Sequence, residues 1–353
     1  MDRKYMIMFG SVIGIIIFML LSMVILSSCS SKMSYEKLED KIVKATADYI
    51  RTNGKPAVGT TSFVSSEDLI NNGYLKSLDK YKNDNCTALV KVMNNNGVIN
   101  YLPSLTCDNY KTVKLREKIL EDNLNVEKNG LFAIDGEYIF KGKTVNNYVK
   151  LGGKLWRILR IDSNGDIKLV SVETDENPIS WDNKYNEVTR SKTGENEYET
   201  SYVRDQIIAN YKKYKESNRK HIIPKSLCIG TRAKNEIDKS NLLDCSKKLD
   251  DQYVGLINPS DYALASTDKD CTTLKSGSCL NFNYLTNTLK TTWTMNAISE
   301  NTYQAIAYYN GNLKAEDVSE WLNYNIVIYI SGDEVYGDGN GTKDKPYTFK
   351  DVK

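Results

Sequence analysis

The chain has 353 residues, 41% hydrophobic and 26% charged, so it reads as globular rather than disordered, with room for an export segment and two compact domains. Its 47 basic and 45 acidic residues leave a formal net charge of +2, which argues against a general nucleic-acid binder, since that needs a basic surplus on one face. One histidine, His221, leaves the commonest general base and metal ligand almost unrepresented, while 24 tyrosines against 7 phenylalanines suit a β-rich domain with half-exposed faces.

The N-terminus reads as an export signal. Asp2, Arg3 and Lys4 precede a nearly unbroken apolar run from Ser11 to Leu26, followed by Ser27, Ser28 and Cys29. The Leu-Ser-Ser-Cys run resembles a lipoprotein lipobox, which implies cleavage before Cys29 and a lipid on its sulfur. An uncleaved signal anchor is the alternative, because residues 5–26 match the roughly 20 apolar residues that span a bilayer core. A pilin-type signal ranks last, since no Gly-Phe junction followed by a glutamate occurs here. With Arg3 and Lys4 inside, both leading readings put the chain beyond about residue 30 at the outer face of a bacterial cytoplasmic membrane. The membrane is then a partner through residues 1–28 or the lipid.

Residues 33–52 have helical period, with Leu38, Ile42, Ala45 and Tyr49 on one face, as a stalk or packed on the first domain. Ser65 before Glu67 and Asp68, with Gly73 after, signals a second, capped helix. Residues 86–106 read as a hairpin turning at Asn96-Gly97. If those two residues make the turn, facing partners sum to 193. Cys86 then lies opposite Cys107, nine steps from the closing pair, at a non-hydrogen-bonded position with Cα atoms about 4.5 Å apart. Pro103 falls at a non-bonded position too, where its missing N–H costs nothing. Residues 29–112 are therefore expected to form the stalk helix and a small α+β domain.

Residues 113–125 are expected to be a short helix or linker. A β-meander follows, with strands at 148–151, 155–161 and 167–172 turning at Gly152-Gly153 and Asn164-Gly165. Residues 201–216 read as one helix carrying Val203, Ile207 and Tyr211 on one face. From 218 to 320 the pattern is expected to be mostly loop. Residues 324–331 are the last apolar strand.

Seven cysteines occur. With Cys29 set aside for lipid, Cys86, Cys107, Cys228, Cys245, Cys271 and Cys279 remain, an even set that favours disulfides in an exported chain. Locality narrows the 15 connectivities to 86–107, 228–245 and 271–279. No Cys-x-x-Cys supports a zinc or thioredoxin-like site.

The stretches NYVKLGGKLWRILRIDSNGDIKLV, YVGLINPSDYALAS, TMNAIS and GDGNGTKDKPY resemble an uncharacterised domain family of surface proteins from low-GC Gram-positive bacteria. That family is similar to the C-type-lectin-like fold shared with formylglycine-generating enzymes. The resemblance covers roughly residues 113–353 and implies a lectin-like α+β domain, without an activity to carry over. The chain departs from it at Tyr324-Asn325-Ile326-Val327, where the family often has Val-Arg-Pro-Val. The small domain before it is more loosely similar to pilin-like heads.

Candidate chemistry is sparse. Asp162, Asn164, Asp166 and Glu173 mimic a calcium loop, but Ile167 stands where glycine is needed, so a two-strand turn is expected. Asp333, Asp338 and Asn340 offer oxygen ligands in a stretch that a glycine-rich turn also explains. No metal or cofactor is expected. His221, in RKHIIPK, is expected to be solvated or capping. Cys228, Cys245, Cys271 and Cys279 echo a copper-dependent cysteine site, with disulfides the favoured reading. Trp156 alternates with aliphatics and is expected in the core. Trp181, in NPISWDNKYN, is the ligand-binding candidate, with core packing as its alternative; Trp293 and Trp321 are the remaining aromatics of this kind. With no catalytic constellation, the sequence points to a non-enzymatic binding or adhesion module for a glycan or surface-protein ligand. The alternatives are a structural subunit of a pilus-like or envelope assembly, or an enzyme on a formylglycine-generating-like scaffold. Carboxylate-only glycoside hydrolysis also stays open, because a sequence does not show which acids converge.

Overall fold

The computed structural model describes residues 33–124, 129–174 and 177–350. The apolar run and Cys29 lie outside the described residues. Among the described residues no helix is long and apolar enough to cross a membrane.

The chain is α+β and dominated by antiparallel sheet. Helix α1 (Tyr35–Asn53) starts at Ser34, whose hydroxyl accepts a hydrogen bond from the Lys37 N–H, and stops at Gly54 with φ of 104°. Its Leu38, Ile42 and Ala45 are buried as their spacing predicts, so the helix packs rather than standing as a free stalk. Glu39 is buried on the same helix and accepts hydrogen bonds from Tyr110 Oη and Thr112 Oγ1. The helix covers a four-stranded sheet in the order β1 (Thr61–Ser65), β2 (Cys86–Asn95), β3 (Val98–Cys107), β4 (Tyr110–Lys111). Helix α2 (Ser66–Asn71) opens with a capping box between Ser65 and Asp68.

The β2–β3 hairpin has the predicted register. Asn96 and Gly97 both have positive φ, 53° and 85°, as a type I′ turn requires, and Cys86 faces Cys107 with Cα atoms 4.1 Å apart. Pro103 faces Val90, five steps from the turn and thus at a non-bonded pair.

Helix α3 (Leu115–Asn123) leads into strands β5 (Gly130–Ile134), β6 (Glu137–Lys141), β7 (Tyr148–Leu151), β8 (Lys154–Ile161), β9 (Ile167–Ser171) and the short β10 (Ile179–Ser180). The helix expected over 201–216 is two helices, α4 (Tyr202–Lys212) and α5 (Glu216–Arg219); Val203, Ile207 and Tyr211 are buried on the first. Then come β11 (Ile222–Ile223), β12 (Lys225–Cys228), β13 (Lys248–Gln252), β14 (Gly255–Leu256), α6 (Pro259–Leu264), β15 (Thr292–Ala297), β16 (Gln304–Tyr309), β17 (Asn312–Asp317), β18 (Trp321–Leu322), β19 (Ile326–Ile330), β20 (Tyr336–Asp338) and β21 (Thr348–Phe349). Strand β19 returns to the middle of the main sheet, whose order is β11-β19-β9-β8-β6-β5, with β14 pairing β19 and β7 pairing β8.

Residues 218–320 hold more strand than the sequence suggested. Strands β15, β16 and β17 form a separate three-stranded sheet. Strand β15, TWTMNA, is buried at every position, so no apolar–polar alternation betrays it. Its polar side chains are satisfied inside: Thr294 Oγ1 donates to the Ile306 carbonyl at 2.6 Å and Asn296 Nδ2 to that of Gly230 at 2.8 Å.

Buried apolar side chains fall into one cluster from α1 and the first sheet, and a second from the chain after residue 114. A small third cluster joins them, with Met93 and Leu102 of the hairpin against Ile223 and Tyr329. Polar bonds cross the same junction. Lys91 Nζ lies 3.0 Å from Asp333 Oδ2, and Asn100 Nδ2 donates to Glu334 Oε1 at 2.8 Å. His221 Nδ1 meets that same Glu334 oxygen at 2.9 Å. His221 is thus buried in the junction, not solvated: the chain passes straight from it into β11, which pairs with β19, and Pro224 follows that strand.

Candidate functional site

A highly charged cleft of about 310 Å³ lies where β8, β9 and β12 meet the start of α6. Four consecutive residues build its floor. In Asn258-Pro259-Ser260-Asp261, Asn258 caps α6, Pro259 takes its first turn, and Asp261 closes a capping box on the Asn258 N–H at 3.0 Å. The box aims the Asp261 carboxylate back under the sheet. One oxygen accepts from Arg160 Nη2 on β8; the other accepts from Lys168 Nζ on β9 at 2.7 Å. Arg160 also holds Glu137 on β6 at 2.7 Å, and Lys168 donates to Asn258 Oδ1 at 3.2 Å.

Asp261 is fully buried. Burial pushes its carboxyl up, but Lys168 and Arg160 together outweigh that and hold it at about 2. For Arg160, desolvation pulls the guanidinium down, and Asp261 and Glu137 reverse the effect and raise it. The floor therefore keeps its charges, two cations paired with two carboxylates.

The side wall is the turn between β8 and β9. Asp162 Oδ2 and Asp166 Oδ2 each lie 2.7 Å from Lys225 Nζ on β12. Burial raises Asp166 more than Lys225 lowers it; Lys225 itself, pulled down by burial, is raised by the two carboxylates. The back wall is the Tyr329 ring, with Lys225 Nζ 5.6 Å and Lys168 Nζ 5.9 Å from its centroid. The Cys228–Cys245 disulfide lines the remaining side. Its loop is fixed by Arg232 and Asp244, both fully buried and paired through Nε and Oδ1 at 2.5 Å. Asp244 also accepts the Ser260 N–H at 3.2 Å. Two buried polar atoms of lining residues, Ser260 Oγ and Arg160 Nε, make no hydrogen bond among the described residues. Exposed Ser163, Asn164, Ser226 and Lys248 form the rim.

No protein-family model, curated protein or solved structure matches the chain. The site therefore rests on its own geometry.

The residues singled out from sequence are dispersed. Trp181 is 0% exposed, and its indole N–H donates to the Thr294 carbonyl at 3.1 Å. It anchors α4 and β15 from inside and is not placed for a surface ligand: the polar stretch around it folds over the ring. Trp156 is core as expected, and Trp293 is buried as well; Trp321 is 70% exposed. The calcium-like carboxylates Asp162 and Asp166 are taken by Lys225, and Asp333 by Lys91, Lys114 and Arg116, each at 3.0 Å. Asp338 and Asn340 accept from nearby residues of the tail's own turn. Cys228 pairs with Cys245 and Cys271 with Cys279, so these four are not thiols. The one metal-like grouping among the described residues, Asp84 with Cys86 and Cys107, has both sulfurs in a disulfide. The Asn-Pro-Ser-Asp capping signal was present in the sequence and would have located the floor.

Proposed function

We propose that the chain is an extracytoplasmic module, tethered to the membrane by its N-terminal apolar segment or by lipid on Cys29, that binds a hydroxyl-rich ligand such as a glycan in the cleft above Asp261. The lectin-like resemblance of residues 113–353 is part of this reading. The three disulfides support an oxidising compartment. The cleft carries the rest. Counted with the ion-pair partners behind its lining, five cations (Arg160, Lys168, Lys225, Arg232, Lys248) meet five carboxylates (Glu137, Asp162, Asp166, Asp244, Asp261), so it does not select for net charge. It presents donors and acceptors held in place by buried ion pairs, a preorganised surface for neutral hydroxyls. The observation that carries this reading is the polar lining itself, in which buried ion pairs fix Lys168 and Lys225 beside an exposed rim of Ser163, Asn164, Ser226 and Lys248.

The test is a glycan array probed with the full chain in detergent, followed by titration of each hit. The rim variants Asn164→Ala and Lys248→Ala are each expected to weaken binding roughly tenfold, the cost of one lost hydrogen bond to a charged or polar partner. An array without hits, or hits indifferent to both variants, overturns the assignment.

A further inference from the structure

A second concavity, remote from the cleft in the residues that line it, lies where the two hydrophobic clusters meet. It is a groove of about 590 Å³. One wall is the C-terminal end of α1, with Ile50, Arg51 and Lys55. The second is the hairpin tip, with Asn96, Ile99 and Tyr101. The third is α5, with Glu216 and Arg219.

Three cations line this groove against one carboxylate. Among the described residues Arg51 is paired only along its own helix, with Asp48 at 3.1 Å, and its side chain is 74% exposed. No ion pair to Lys55 occurs among the described residues. Arg219 is the most enclosed of the three; its nearest carboxylate, Glu216, is 3.8 Å away and points largely into solvent. The Nε of Arg219 is buried and makes no hydrogen bond among the described residues. The Arg219 side chain nevertheless keeps part of its surface open where it lines the groove, and a guanidinium there suits an oxyanion. Even with Asp48 counted, the groove keeps a surplus of one positive charge (three cations less two carboxylates). That separates it from the balanced cleft.

The walls are also held fixed. Asn95 Nδ2 donates to the Lys220 carbonyl, next to Arg219, and the Asn96 N–H donates to Tyr253 Oη at 2.8 Å. The hairpin tip and α5 therefore keep their spacing without a ligand, which lowers the cost of binding one. Between the cations the lining is apolar, from Ile50, Val98 and Ile99, with the half-buried Tyr101 ring.

We propose that this groove is an anion-binding site for a phosphate-bearing ligand with a compact apolar portion, the phosphate held by Arg219 with Arg51 and Lys55 and the apolar portion lying on Ile99 and Tyr101. Two guanidinium forks and an ammonium are the donors that suit phosphate oxygens. The site is independent of the glycan reading and stands whether or not that reading does.

The experiment is calorimetric titration of the full chain in detergent with inorganic phosphate, phenyl phosphate and benzyl alcohol. Phenyl phosphate is expected to bind more tightly than inorganic phosphate, and benzyl alcohol not to bind. Affinity is expected to fall as salt rises. Arg219→Ala is expected to lose roughly tenfold to a hundredfold in affinity, the range for a hydrogen bond to a charged group. Lys55→Glu, at an exposed position that leaves the fold untouched, is expected to weaken phosphate by a similar factor and provides the measurement if Arg219→Ala does not fold. Absence of saturable phosphate binding, or binding unchanged in Lys55→Glu, overturns the proposal. Equal affinity for phosphate and phenyl phosphate overturns the apolar subsite.

Discussion

Asp261→Asn is expected to be among the most damaging single substitutions in the cleft. Asp261 is the shared counter-charge of two buried cations, Arg160 and Lys168, whose side chains are each 6% exposed. Its carboxyl is held at about 2 against an ordinary 3.8. A depression of that size corresponds to about 2–3 kcal/mol of preference for the charged form in the folded chain. Because the folded value lies below the unfolded one, this stabilisation is fully present above about pH 4 and drains away as pH falls towards 2. Removing the charge also leaves Lys168 without its carboxylate and Arg160 with Glu137 alone, and breaking a buried pair from one side costs about 3–5 kcal/mol. Urea unfolding at pH 7, followed by tryptophan fluorescence, is expected to show a loss in that range. Repeated between pH 4 and pH 2, the wild-type chain is expected to lose stability more steeply than Asp261→Asn. A loss under about 1 kcal/mol at neutral pH, or parallel pH profiles for the two proteins, would refute the account of the floor.

Replacing Cys86 and Cys107 together by alanine is expected to cost about 3 kcal/mol, from the loop entropy restored to the unfolded chain over a separation of 21 residues; thermal melts check it, and non-reducing peptide maps should show 86–107, 228–245 and 271–279. Trp181→Ala is expected to cost about 3–5 kcal/mol as a core truncation, whereas Trp321→Ala, at an exposed position, should stay within about 0.5 kcal/mol; equal effects in urea melts would contradict their burial. His221→Ala should destabilise by about 2 kcal/mol, because it strips a hydrogen-bond partner from buried Glu334; a change below about 0.5 kcal/mol would show that Asn100 alone satisfies that carboxylate.

What was legible in the sequence was local. The Asn96-Gly97 turn requires positive φ at both central residues, and once it is fixed the pairing of Cys86 with Cys107 is a matter of counting. Ser65 caps its helix because its hydroxyl reaches a free N–H of the first turn, and Ser34 and Ser201, not read as caps from the sequence, do the same. Long-range polar pairing was not legible. Arg160 and Asp261 stand 101 positions apart, and either residue alone reads as an ordinary surface charge. The loop-like composition around Trp181 misled for the opposite reason: the polar neighbours bond inward, with Asp182 accepting from the N–H groups of Glu195 and Tyr202. Strand β15 escaped because burial on both faces erases alternation.

Tyr329 shows why the small N-terminal unit is more than a spacer. Its ring belongs to the bridging cluster with Met93, Leu102 and Ile223, and the same ring forms the back wall of the cleft beside Lys168 and Lys225. Strand β19 carries it in the middle of the main sheet, paired with β9, where Tyr329 faces Lys168 directly. A ring in that position cannot shift without disturbing either the hairpin or the ionic floor, because the interior around it is close-packed. Just beyond the strand, Asp333 and Glu334 bind Lys91 and Asn100 of the hairpin. The six residues from Tyr329 to Glu334 thus link both polar networks along one stretch of chain. The N-terminal sheet buttresses the cleft through them, and the geometry of the floor depends on a hairpin that ends 30 residues before Glu137, the first residue to line the cleft.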